Sequence, residues 1–174
     1  MYLASAVFAA VAALAQFAVT PAAALEKLDA PTIACSSSLD DDTITLGVTA
    51  GASGAPGGFS IQWQQAAPDA ARVVSCPAWP LSTDVCKASF SGQAAGSAYN
   101  LAAFASVDVT IGALNSGEPG VSFVDSAAGV LCGADTGLNP GTAYCFRAFA
   151  QAAKTATGNR KRSDFTADRP CSTR

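Results

Sequence analysis

Six cysteines, Cys35, Cys76, Cys86, Cys132, Cys145 and Cys171, are the most reactive side chains in a 174-residue chain that holds no histidine. Without imidazole there is no Ser/His/Asp or Cys/His triad, and the common zinc sites lose a ligand. Thiolates alone could bind zinc, but that chemistry needs closely spaced pairs such as CxxC. Here nine residues separate Cys76 from Cys86 and twelve separate Cys132 from Cys145. An even number of dispersed cysteines points instead to three disulfides, with the connectivity left open by spacing. No metal and no cofactor is expected.

The other candidates for chemistry are weaker. Asp40, Asp41 and Asp42 could contribute to a calcium site, yet no second acidic cluster or EF-hand spacing accompanies them, so a solvated turn is expected. The run GASGAPGG at 51–58 looks like a phosphate loop but lacks GxGxxG spacing and a following helix, and reads as a floppy connection between strands. There is no GxSxG elbow, and no carboxylate pair is embedded in apolar surroundings. A non-enzymatic protein is the expectation.

Charge is distributed unevenly. From Arg147 onward there are seven basic residues against Asp164 and Asp168, whereas residues 26–146 carry three basic and eleven acidic ones. The densest basic stretch, Asn159-Arg160-Lys161-Arg162, is a candidate binding loop for an acidic protein or an envelope polysaccharide, against the blander reading of a solubilising loop. Nucleic acid is not an expected partner, because the chain is acidic overall and no aromatic residue interleaves with the basic run.

The elements that must position these residues begin after an export segment. Residues 1–24 carry no charge and eleven of the chain's 39 alanines, and Ala22 and Ala24 suit a signal peptidase, so residues 1–24 read as a signal peptide cleaved before Leu25. No Lys or Arg precedes the apolar run, so an uncleaved membrane anchor is the competing reading, and a membrane is a partner only in that case. The expected location is the extracellular space, the cell envelope or the periplasm. Residues 25–174 then form one domain.

Within it the hydrophobic period is two rather than 3.6, and short alternating runs lie between Gly, Pro, Ser and Asp clusters. APTIACS, TITLGVT, GFSIQWQQ, ASVDVTIGAL and AYCFRAFA read as strands, with Phe59, Ile61 and Trp63 sharing one face. Residues 66–100 are looser, and about 115–137 read as a long turn-rich insertion. The fold class is all-β.

The segment GLNPGTAYCFRAFA carries more specific information. Leu138, Pro140, Gly141, Thr142 and Tyr144 match the L-x-P-G-T-x-Y corner leading into strand F of fibronectin type III domains, which the chain resembles there. Pro and Gly set the turn, Leu138 plugs the core end, and the Tyr144 hydroxyl reaches back to a backbone group of the corner. The resemblance implies a seven-stranded immunoglobulin-like β-sandwich, stapled by disulfides, with residues 159–162 between the last two strands in a loop that often serves recognition. It also implies that Cys35 and Cys171, on the first and last strands, are paired. Cys76–Cys86 and Cys132–Cys145 are short-loop choices, with Cys132 or Cys145 as alternatives for Cys86. The function expected is protein recognition, adhesion or matrix assembly; the alternatives are an accessory module of a secreted hydrolase system or a structural spacer.

Overall fold

The computed structural model describes residues 27–36, 41–68, 74–80, 85–154 and 161–174. The expected signal peptide, Asp40, Asn159 and Arg160 lie outside the described residues. All regular structure among those described is β.

Three strands form one sheet: β1 (Thr32–Cys35), β2 (Ile44–Thr49) and β7 (Ser106–Ile111), antiparallel in the order β1-β2-β7. Five form the other: β3 (Gly58–Gln65), β6 (Cys86–Ser91), β8 (Val121–Phe123), β11 (Ala143–Ala150) and β12 (Arg169–Ser172), in the order β12-β11-β3-β6-β8. Alternation explains how they meet. Ile44, Leu46 and Val48 of β2, with Val109 and Ile111 of β7, share one buried cluster with Phe59, Ile61 and Trp63 of β3 and Phe146 and Ala148 of β11. On the opposite face of the three-stranded sheet the same period places Thr45, Thr49, Ser106 and Thr110, whose hydroxyls bond across the strands.

Two small ladders complete the molecule. β4 (Ala67–Pro68) pairs with β5 (Val74–Ser75), and β9 (Ser126–Ala127) pairs with β10 (Val130–Leu131). Ala128 and Gly129 at the tip of the second hairpin both have positive φ, 50° and 79°, the requirement of a tight primed turn.

This architecture corrects the expected seven-stranded immunoglobulin-like sandwich. The described residues form twelve strands in four sheets, none closed on itself. The difference arises where composition obscures periodicity. The 115–137 insertion is too short in each apolar run to read as strand, yet β8 pairs Val121 with Phe90 and extends the five-stranded sheet, while β9 and β10 make a hairpin of their own. The run at 51–58 also departs from a floppy connection. Gly58 sits at φ 92° with its Cα so close to the Phe90 carbonyl that a Cβ would lie 1.8 Å from that oxygen, so glycine is demanded by packing at the start of β3.

Three disulfides tie the layers: Cys35–Cys171, Cys76–Cys145 and Cys86–Cys132. The first joins β1 of one sheet to β12 of the other, as the resemblance implies. The short-loop pairings Cys76–Cys86 and Cys132–Cys145 are corrected. Cys145 points to the outer face of β11, away from Cys132, and is reached by the segment after β5, whereas Cys86 at the start of β6 meets Cys132 just after the β9–β10 hairpin.

Candidate functional site

The Leu138–Tyr144 corner shows how the sequence fixes the entry to β11. Leu138 is buried, Gly141 has φ 63°, and the Asn139 amide donates to the Tyr144 hydroxyl at 2.9 Å. The Thr142 side chain donates to the Pro140 carbonyl, and its amide donates to Thr173 Oγ1, fastening the corner to the chain after β12. The Leu138 amide donates to the Asp42 carbonyl, so the acidic turn before β2 is held against the corner by its backbone, with Asp41 and Asp42 in solvent. Among the described residues, no group of three or more His, Cys, Asp or Glu is placed to hold a metal ion.

From this corner β11 carries Cys145, Arg147 and Phe149 on the outer face of the five-stranded sheet. Two irregular segments lie across that face. The disulfide from Cys76 to Cys145 holds residues 74–80 down, and Gln64 Nε2 donates to the Pro77 carbonyl at 2.8 Å. Residues 161–168 are held from the other side, where the Ser163 and Thr166 amides donate to the Ala150 and Ala148 carbonyls. Trp79 Nε1 donates to Asp168 Oδ1 at 2.8 Å, joining the two segments.

Arg147 is clamped between them. Its guanidinium carbon lies 4.1 Å from the Trp79 ring centroid and 3.9 Å from that of Phe165, and its Nε donates to Gln62 Oε1 at 2.8 Å. Both distances are well inside the range of cation–π attraction. Phe165 meets Phe149 edge to face at 5.1 Å, and the Arg162 guanidinium lies over Phe149 and Phe165 at 5.2 and 5.6 Å. The result is a ladder of alternating cations and rings, with exposed Lys161 beside it. Burial lowers the Arg147 guanidinium pKa; the nearby Asp168 carboxylate opposes this and the Arg162 charge adds to it. Arg147 nonetheless stays cationic at any physiological pH.

No family model, curated protein or solved structure matches this chain. The fibronectin type III resemblance is corrected accordingly: it rests on the corner residues alone, and the twelve-strand, four-sheet arrangement departs from the single sandwich it implied.

Of the candidate loop, Lys161 and Arg162 are the residues described, and both are exposed. The Lys161 carbonyl accepts from the Ala152 amide and Arg162 bridges Gln151, which holds this part of the loop against the end of β11. Sequence reasoning missed Trp79, Arg147 and Phe165 as a group. Outward alternation does place Arg147 and Phe149 on one face, but nothing in the spacing shows that residues 79 and 165 return to cover them.

Proposed function

We propose that this disulfide-rich, all-β domain is a non-enzymatic binding module of an exported protein, and that it takes an anionic partner on the outer face of the five-stranded sheet. The observation that carries the reading is the clamp on Arg147. A guanidinium held within about 4 Å of two ring centroids has lost most of its rotamer freedom, so its remaining N–H fork is preorganised for a carboxylate or sulfate. Arg147 Nε donates to Gln62, and the terminal nitrogens are the donors that would meet a ligand. Arg162 and Lys161 add positive charge on the same side, which steers an acidic protein surface or an acidic envelope polysaccharide. Three disulfides and the uncharged, alanine-rich residues 1–24 support export through an oxidising compartment.

Calorimetric titration of the disulfide-intact chain with polygalacturonate and with polyglutamate, at low and at physiological salt, tests this. Arg147→Lys keeps the charge and discards the planar fork, so affinity should fall by roughly tenfold, the worth of about one charge-assisted hydrogen bond. Equal affinity of variant and wild type, or no binding to either polymer at low salt, would overturn the assignment.

A further inference from the structure

Strand register aligns a second cation with Arg147. Gln62 of β3 is paired with Arg147 of β11 on one side and with Lys87 of β6 on the other, so the three residues form one row across the sheet. Ala88 and Phe90 of β6 are buried in the core, and alternation turns Lys87 and Ser89 to the outer face, where Ser89 Oγ bonds to Ser60 Oγ at 2.9 Å. Neighbouring strands lie about 4.8 Å apart, so roughly 10 Å separates the backbones at Arg147 and Lys87. Lys87 is exposed, and among the described residues no carboxylate forms an ion pair with it.

The other end of the row carries the opposite charge. One step past the last β11–β12 pair, Phe146 with Arg169, stands Asp168, held by the Trp79 indole on the β12 side of Arg147. A polyanion seated on the Arg147 fork is therefore turned away from β12 and drawn across β3 toward Lys87. Beside that path the next row runs through Phe149, Ser60, Ser89 and Ser122 on β11, β3, β6 and β8. From β3 outward it consists of hydroxyls, with Ser89 half-buried and Ser122 exposed. A floor of short hydroxyl side chains suits a hydroxyl-rich chain lying flat across the strands. Protein interfaces draw most of their energy from large anchors seated in pockets, and this strip presents serines instead.

We propose that Lys87 is a second binding residue of the anion site, and that the ligand is an extended acidic polysaccharide crossing the strands with one carboxylate on Arg147 and another on Lys87. The proposal rests on the anion-binding reading and narrows it to one class of ligand. Two contacts along one chain act as linked sites, so the second carboxylate meets its cation at high effective concentration once the ligand is long enough to reach it.

Calorimetric titration of the disulfide-intact chain at low salt, with galacturonate oligomers of increasing length and with polygalacturonate and polyglutamate, tests the proposal. Wild-type affinity should step up by roughly tenfold at the length that first spans both cations, the worth of about one charge-assisted hydrogen bond. Lys87→Gln should abolish this step while native near-ultraviolet circular dichroism is retained. Lys154→Gln, which removes an exposed lysine beyond the end of β11, should keep the wild-type length profile. Wild-type affinity without a step, a step that survives Lys87→Gln, or equal loss from both lysine variants would each overturn the proposal. So would tighter binding of polyglutamate than of polygalacturonate at equal charge, which would assign the row to an acidic protein surface. In all four cases a loss of polygalacturonate affinity in Arg147→Lys would leave the anion site standing, whereas no binding of wild type to either polymer would remove the anion site itself and the proposal with it.

Discussion

Tyr144 and Tyr99 show how single side chains hold this fold and what alkali would do to it. Tyr144 is buried and its hydroxyl accepts the Asn139 amide, so Tyr144→Phe removes one hydrogen bond and should cost about 1–2 kcal/mol, while Tyr144→Ala adds a cavity and should cost roughly 3–5 kcal/mol. Denaturant melts of the two variants check both figures. Tyr99 packs edge to face on Phe59 and Phe90 and donates to a Glu118 carboxylate oxygen. Burial, then the hydrogen bond and the charge of Glu118, hold its phenol well above the usual range, and burial raises Tyr144 as well. A folded pKa above the unfolded value of about 10 means that the native state keeps its proton longer, so stability is fully present below about pH 10 and is lost as pH climbs beyond it. Thermal melts between neutral and strongly alkaline pH should show this fall, and Tyr99→Phe should make it shallower. A slope unchanged in the variant would remove Tyr99 as its cause.

At the scale of elements, the disulfides decide which segments can leave. Cys35–Cys171, Cys76–Cys145 and Cys86–Cys132 span 136, 69 and 46 residues. In the chain-entropy picture these loops contribute up to about 5, 4.4 and 4 kcal/mol respectively, so double replacement by alanine should destabilise most at Cys35/Cys171. The middle bond has a second consequence. Removing Cys76 and Cys145 should release residues 74–80 and with them Trp79, so anion binding at Arg147 should weaken along with stability. Trp79→Ala should weaken binding with a smaller stability loss, about 1–2 kcal/mol for a half-buried cation–π contact. Peptide mapping without reduction should recover Cys76 with Cys145 and Cys86 with Cys132; any other pairing would displace this account of the outer face.

For the whole molecule, charge asymmetry and sheet assembly meet on one side. The basic C-terminal part of the sequence returns over the five-stranded sheet, so Arg147, Arg162 and Lys161 lie together although fifteen positions separate the first from Arg162. Neutralising Arg160, Lys161 and Arg162 together should weaken binding to an acidic polymer while moving the melting temperature by no more than about 2 °C, because exposed charges add little to folding. Binding should decline with salt, as exposed charges are screened over about 8 Å at physiological ionic strength. Neutralising Arg169 and Arg174 instead is the control: equal loss from both sets would mean diffuse attraction rather than a site.

The strands of the core were legible from residue order alone. Ile44, Leu46 and Val48, or Phe59, Ile61 and Trp63, alternate cleanly because each strand has one face in the core and one outside it, and Pro140, Gly141 and Tyr144 encode their corner through local geometry. The absence of histidine and the number of cysteines were equally plain. Tertiary structure alone decided that Cys76 meets Cys145 and which of its alternative partners Cys86 takes, that β8 to β10 form inside a glycine-rich insertion, and that Trp79 and Phe165 close on Arg147. Apart from the β9–β10 hairpin, which is local but whose apolar runs are too short to read as strand, each of these joins segments far apart in the chain, and such contacts depend on where whole sheets and loops come to rest, which no local period or turn residue records.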